Sequence, residues 1–226
     1  MVLTGTLVNV IAVILGSTIG LIFHSKIPTR FTQTVFQGIA LFTILIGVNM
    51  GLKSNEFLLI VFSLISGGIV GEALKLETRV ENLSLTIQHR IKSKNQKFSE
   101  GLITSFLLFC MGSMTILGAF EEGLGNEPNL LLAKSTMDGF SSIALSASLG
   151  IGVLFSVIPL LIYQGLLTIF AGSLSVYLSE PIINNLTSVG GILLIGLGIN
   201  LLEIKKIKMM NLLPSLLVIV ILSLIF

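Results

Sequence analysis

The chain has 226 residues, of which 53% are hydrophobic and 11% charged, with a formal net charge of +2 and a mean hydropathy of +1.02. A soluble domain carries about a quarter charged residues, so this composition excludes a water-soluble globule, and no polar stretch is long enough to form a separate soluble domain. The single cysteine, Cys110, excludes a disulfide framework and a CxxC metal site. The two histidines, His24 and His89, lie in basic segments and cannot form a metal cluster.

The apolar runs repeat at roughly 20 residues, the length that crosses a bilayer as a helix. They are continuous and do not alternate with period two, so helices are expected and a barrel is not. The first span is expected at Leu3–Phe23. It lacks a basic leader and reads as a retained span, not a cleaved signal peptide. A loop with His24, Lys26, Pro28 and Arg30 follows, then spans at Phe31–Leu52 and Phe57–Leu74. Lys75–Ser99 is the long polar segment. Span four is expected at Gly101–Phe120, followed by a polar hairpin from Glu121 to Lys134. Spans five and six share Met137–Leu178, and Gly150, Gly152 and Pro159 mark their junction. Spans seven and eight are expected at Ile182–Leu202 and Met209–Phe226.

Loop charge tests that count. With eight spans, one face holds Lys26, Arg30, Lys75, Arg79, Arg90, Lys92, Lys94, Lys97, Lys205, Lys206 and Lys208, and the other holds only Lys53 and Lys134. Cytoplasmic loops collect Lys and Arg, so the basic face is expected inside and both termini outside. A seven-span alternative, with Met137–Leu178 as one span plus a surface or re-entrant piece, would put Lys205–Lys208 outside and weaken this bias. Within Lys75–Ser99, Leu76, Val80, Leu83, Ile87 and Ile91 fall at helical spacing beside Arg79, Arg90, Lys92 and Lys94. That pattern predicts a basic amphipathic helix on the anionic inner leaflet, with a protein-binding helix as the alternative.

Two stretches resemble each other. Ile46-Gly47-Val48-Asn49-Met50 matches Leu197-Gly198-Ile199-Asn200-Leu201, and Ile14–Ile19 matches Ile169–Leu174. Spans one to three would then correspond to spans six to eight in opposite orientation, the inverted-repeat plan of many secondary transporters. The expected fold is an all-α polytopic bundle of about eight spans with this repeat, a single membrane domain over residues 1–226.

Charges within spans are costly and usually mark function. Asp138 is expected near the start of span five, four residues after Lys134, so the two can pair on one helix face. Glu121 and Glu122 end span four. The functional reading of these residues is an entry site or gate. The structural alternative is a solvated loop in which Asp138 caps its helix. Asn9, Asn49, Asn200 and Gln164 are amides in apolar helices, either interhelical ties or contacts to a solute or cation. Ser141 and Ser142 sit in a small-residue span that either packs closely or lines a path. Cys110 and Met111 read as packing residues. Gly150-x-Gly152 and Gly196-x-Gly198 follow no strand and are not nucleotide fingerprints. No catalytic set, metal site, cofactor motif or nucleic-acid surface is visible.

The run Phe109-Cys110-x-Gly112-x-Met114-x-Ile116-x-Gly118, Lys134-Ser135-x-Met137-Asp138-Gly139, Gly150-x-Gly152-Val153 and Tyr163-Gln164-Gly165 resembles the YqgA/YdfK family of bacterial integral membrane proteins. Gly5-Thr6-x-x-Asn9 and Gly47-x-Asn49 also fit it. The resemblance implies an inner-membrane location and a loose link to biofilm formation. It supplies no substrate and no site residues. The expected function is a small transporter or channel-like permease for an unidentified solute or ion, with Asp138 and Lys134 as a charged switch. The alternative is a non-transporting membrane scaffold or sensor acting through the amphipathic helix. An enzyme is not expected, and a homo-oligomer stays open.

Overall fold

The computed structural model describes residues 3–24, 29–90, 97–110, 112–174 and 177–225, with the side chains at 24, 29–33, 35 and 36 outside that description. Lys26, Pro28, Ile91, Lys92, Lys94 and Met111, and the side chains of His24 and Arg30, therefore lie outside the described residues. The described regular structure is all-helical: α1 Thr4–His24, α2 Thr29–Gly51, α3 Phe57–Ala73, α4 Leu76–Arg90, α5 Phe98–Cys110, α6 Ser113–Gly123, α7 Asn129–Leu149, α8 Gly152–Phe155, α9 Val157–Ile169, α10 Ala171–Leu174, α11 Glu180–Leu201, α12 Met209–Leu212 and α13 Ser215–Ile225.

Two expected spans are corrected and the junction between spans five and six is narrowed. Span four is not one rod: α5 and α6 are inclined at 60° to each other, and the Thr115 hydroxyl, bonded to the Phe109 carbonyl at 2.9 Å, ties the two together. Span eight breaks at Leu213 and Pro214, between α12 and α13, because proline cannot donate to the helix ladder. The junction between spans five and six lies at Gly150 itself, whose φ of 77° ends α7. Pro159 is not a breaker but sits in the first turn of α9, where its missing N–H costs nothing. Among the described residues, Thr4–Phe23, Gly152–Ile169 and Glu180–Leu201 are each long and apolar enough to cross a membrane, and the pairs α3–α4 and α5–α6 reach that measure only when taken together. Gln37–Gly51 and Met209–Ile225 are shorter apolar segments.

The helices are apolar on the outside and small or polar on the inside. On α1, Leu7, Ile11, Leu15 and Ile22 are exposed, while Thr6, Asn9 and Ser17 are fully buried. On α3, Phe57, Leu58, Phe62, Ile65 and Ile69 are exposed, and Ser63 is buried. Water would disfavour such surfaces, whereas hydrocarbon favours them and leaves close packing of small residues to hold helices together.

The chain forms two compact units. The first contains α1, α5, α6, α7, α8, α9 and α10. Its apolar core includes Phe98, Leu107, Phe109, Leu131, Leu145, Leu149 and Leu160. Here α1 runs parallel to α7: Gly5 lies against Leu131, Gly16 against Gly139 and Ser142, and Gly20 against Ile143 and Ser146. There is no room for a Cβ at Gly16 or Gly20, so glycine is what allows these backbones to touch. The serines of α7 complete the seam, Ser146 donating to the Ser17 carbonyl at 3.0 Å. α1 also meets α9, but antiparallel, through Thr6 with Thr168 and Asn9 with Gln164.

The second unit contains α3, α11, α12 and α13, with most of α2 and α4. Ile60, Val189 and Ile219 centre its core. α2 and α11 are antiparallel. A Cβ at Gly47 would fall 2.7 Å from the Gly191 carbonyl oxygen and 2.8 Å from the Ile195 side chain, and one at Gly198 would fall 2.9 Å from the Ala40 carbonyl oxygen and against Ile44. α3 is antiparallel to α12 and α13, with Gly67 against Ser215 and Gly71 against Asn211. On α4 the expected apolar stripe is only partly inward: Leu76, Val80 and Ile87 are half-buried, Leu83 is 59% exposed, and Ser84 is the buried position.

Candidate functional site

The first unit encloses a connected set of polar side chains. α7 starts at Asn129, so Asp138 lies in its third turn and cannot cap it. The Lys134 ammonium donates to Asp138 Oδ2, and both residues are buried, at 5% and 6% exposure. Two ions taken out of water stay charged only with excellent partners. Asn9 Nδ2, from α1, adds a second hydrogen bond to Asp138 Oδ2 at 3.1 Å and also donates to Gln164 Oε1 of α9 at 3.0 Å. Lys134 Nζ lies 6.0 Å from the centre of the Phe109 ring, within reach of a cation–π contact.

Glu122 belongs to the same unit but not to a solvated hairpin. It is buried, and its carboxylate sits at the first turn of α1. The Gly5 N–H donates to Oε1 at 2.6 Å, and the Thr6 N–H and hydroxyl donate to Oε2 at 3.3 and 3.2 Å. The first N–H groups of a helix have no partner within it, and the helix dipole favours an anion there. The Thr6 hydroxyl also meets the Thr168 hydroxyl at 3.4 Å, and Thr168 donates to the Gln164 carbonyl at 3.0 Å. A polar path thus links Glu122 to Gln164 through two threonines that sequence reading did not single out. Their signal was available only as single hydroxyls in apolar runs.

Two atoms of this set stand out. Asn9 and Gln164 are wholly buried, yet Asn9 Oδ1 and Gln164 Nε2 make no hydrogen bond to the described residues. Ser17 Oγ on α1 is a third such atom. A buried polar group without a partner costs about 1–3 kcal/mol, so these atoms are open positions for a ligand or water. Glu121 is outside the set: half-buried, it accepts from the Leu130 N–H at 3.0 Å and closes the turn into α7. Ser142 donates to the Gly139 carbonyl at 2.7 Å on the α1–α7 seam, and Ser141 beside it is half-buried.

The remaining candidates lie in the second unit. Asn49 is exposed. Asn200 pairs with the Ile207 backbone at 2.8 and 2.7 Å and closes the loop after α11. That unit has its own polar ties. Asn185 accepts from Ser54 and donates to Glu56 at 3.2 Å and Ser223 at 2.9 Å. Asn211 accepts from the Glu77 N–H at 2.7 Å and donates to Glu72 at 2.6 Å. Partial burial holds the Glu77 carboxyl above its ordinary range, against the opposing hydrogen bond from the Met210 N–H.

Among the described residues, an all-helical architecture with apolar outer faces and a buried ionic and amide cluster fits a helical membrane protein. The chain belongs to the family described as Protein of unknown function (DUF554), which matches residues 4–224. It is 35% identical over 218 residues to the uncharacterized membrane protein YdfK of Bacillus subtilis (strain 168), covering 95% of this chain and 93% of that protein. It is 31% identical over 219 residues to the uncharacterized protein YqgA of Escherichia coli (strain K12), covering 94% and 93%. No solved structure matches the chain.

Proposed function

We propose that the protein is a small secondary transporter or permease of the bacterial inner membrane, with the Lys134–Asp138–Asn9–Gln164 cluster as its solute or ion site. The observation that carries this reading is the burial of a complete lysine–carboxylate pair beside two amides with open hydrogen-bonding atoms. Packing alone gives no reason to keep such a group among apolar helices, since an apolar replacement of similar volume is usually no less stable. Polar residues inside membrane helices mark solute and proton paths.

The directions of the helices support eight spans. α7 runs parallel to α1 and α9 antiparallel to it, which fits α7 and α9 as separate passes. The antiparallel pairing of α2 with α11 and of α3 with α13 fits the same count. The inverted repeat gains support from reciprocal contacts. The sequence match sets Gly47 against Gly198, Ala40 against Gly191 and Ile44 against Ile195. Gly47 touches the counterparts of Ala40 and Ile44, and Gly198 touches Ala40 and Ile44 themselves. A local two-fold axis gives that pattern. In the other matched stretch, Asn9 corresponds to Gln164, and those two are hydrogen-bonded to each other. On this reading both termini face outward and α4 lies at the cytoplasmic, anionic leaflet.

The test is reconstitution of the purified protein in liposomes, with uptake of ions and small metabolites measured against Asp138→Asn. Asn is close to Asp in shape and keeps an acceptor for Lys134, so lost uptake per folded molecule is the expected result. Full uptake in Asp138→Asn removes this cluster from the mechanism. The outward Leu83 and Leu85 of α4, 59% and 42% exposed, favour one second reading, a membrane scaffold that docks through this helix. It predicts no uptake of any solute and a cellular phenotype that follows α4 substitutions alone.

A further inference from the structure

We propose that the ion sensed at this site is a proton taken up by Asp138, and that the Asn9–Gln164 amide pair relays it by reversing its hydrogen-bond polarity. The inference rests on the reading of the cluster as the solute site and adds the coupling ion and the kind of solute.

With Asp138 ionised, the orientation of both amides is forced. Asp138 Oδ2 accepts from Lys134 and from Asn9 Nδ2. Asn9 cannot present its oxygen to a carboxylate, so its Nδ2 must face Asp138. The same Nδ2 donates to Gln164 Oε1, so Gln164 must present its oxygen in turn. The atoms left over are an acceptor, Asn9 Oδ1, and a donor, Gln164 Nε2, both fully buried.

A proton from bulk water, bonded to Asp138 Oδ2, inverts each step. The new O–H needs an acceptor, while the remaining lone pair on Oδ2 still accepts from Lys134. A half-turn of the Asn9 amide supplies Oδ1 as that acceptor. Asn9 Oδ1 then faces Gln164, whose own half-turn brings Nε2 round to donate. The buried ends are now a donor on Asn9 and an acceptor on Gln164. A solute held in one orientation that fits one state is mismatched in the other, so proton uptake and solute exchange are coupled. A mismatched buried polar group costs about 1–3 kcal/mol, or about 5- to 150-fold in affinity.

The charge of the set names the solute class. Lys134 and Asp138 compensate each other, and the Glu122 charge is taken up by the first turn of α1. With Asp138 ionised no net charge is left at the open amide ends, so that state fits a small uncharged solute with one donor and one acceptor, while protonation of Asp138 leaves the Lys134 charge without a counter-ion. A hard metal ion suits the set poorly. It needs six or more oxygen ligands, yet Asp138 Oδ2 and both oxygens of Glu122 already accept from donors. The other titratable groups around Asp138 are Lys134 on α7, the Cys110 thiol on α5, which interacts with both, and the Tyr163 phenol of α9 next to Cys110. Glu122 of α6 is linked through Thr6.

The test is infrared difference spectroscopy of the full-length protein in lipid nanodiscs, with isotope-labelled asparagine and glutamine side chains, as pH is stepped downward. A protonated-carboxyl band is expected to grow while labelled amide bands shift with the same midpoint. Asp138→Asn removes both signals. Asn9→Leu, or Gln164→Leu if the first does not fold, removes the coupled amide shift and leaves the carboxyl band. A carboxyl band that titrates without any amide shift overturns the relay. So does a carboxyl signal that survives in Asp138→Asn, or the lack of any titration. Neither signal requires transport. Lost uptake with an intact titration sinks the transporter reading alone, and uptake without the titration sinks the relay alone.

Discussion

Among the described residues each unit shows a lysine–carboxylate pair, and these two pairs differ in almost everything except chemistry. Lys134 and Asp138 are four residues apart on one helix, with side chains 7% and 9% exposed. Lys208 and Glu72 are brought together from distant parts of the chain at 2.9 Å and remain 57% and 60% exposed. In the first pair each ion depends on the other, because water cannot replace it. In the second, water can replace either partner. The same contrast separates the polar ties of the two units. Those of the second unit join segments far apart in the chain or close a loop, with their amide atoms taken up, whereas the first unit keeps two amides with open atoms. A protein that only had to pack would have no use for that difference.

The largest expected effect comes from breaking the buried pair on one side. Lys134→Met leaves the Asp138 carboxyl without its counter-ion in an apolar core, a loss of about 3–5 kcal/mol. Unfolding followed by denaturant in mixed micelles measures it. Asp138→Asn leaves the Lys134 ammonium buried without a counter-ion but keeps an acceptor for it, and is expected to cost less. Negligible losses in both would mean that the pair only fills space.

The helix seams come next. Gly16→Leu forces a side chain into the Gly139 carbonyl and Ser142 on α7, and Gly71→Leu does the same against the Asn211 backbone. Each is expected to cost about 1–3 kcal/mol through overpacking, visible as a lowered melting temperature. The two units part in function. Gly16→Leu separates α1 from α7 and displaces Asn9 from Asp138, so it abolishes uptake, while Gly71→Leu only destabilises. Equal losses of uptake at equal stability would erase the proposed division of labour.

Much of this architecture was legible in the chain and some of it was not, for reasons of range. The ends of α1, α3 and α11 fall within two residues of the expected spans because their signals are local: runs of Leu, Ile and Val bounded by polar loops. The pairing of Lys134 with Asp138 is likewise local, set by helical spacing. The breaks within spans four and eight were missed. Hydropathy is blind to a bend, and Gly112 and Pro214 lie in apolar surroundings that read as continuous. The bond of Glu122 to the start of α1 spans 116 or more positions, so no periodicity could announce it. On α4 a helical stripe was visible, but the seat taken by Ser84 instead of Leu83 depends on what the helix meets. Asn9 and Gln164 were picked out as amides in apolar runs. That they bond to each other was not legible.

A smaller effect belongs to Asn185 in the second unit. Its amide holds Ser54, Glu56 and Ser223 together. Asn185→Ala leaves those groups short of a partner, and Ser54, at 6% exposure, has little water to turn to. A loss of about 1–3 kcal/mol is expected, with uptake per folded molecule unchanged. Lost uptake at normal folding would extend the functional site into this unit.

The smallest effect is expected at the exposed pair. Glu72→Gln removes the charge that faces Lys208 but keeps an oxygen for Asn211 Nδ2, which donates to Glu72 at 2.6 Å. Both ions of the pair are well hydrated, and an ion pair in that setting adds little because water and salt screen it. Holding two long side chains in one geometry offsets much of what remains. The melting temperature is therefore expected to stay where it is, at low and at high salt alike. Lys208→Met should behave the same way. The companion measurement is the salt dependence of Lys134→Met, where the loss should persist at high ionic strength because a buried charge is screened far less. A clear, salt-sensitive loss in Glu72→Gln would mean that the loop carrying Lys208 is covered in the working protein. The contrast between the two pairs would then be one of degree, and the case for a special role of Lys134 and Asp138 would rest on the open amides of Asn9 and Gln164 alone.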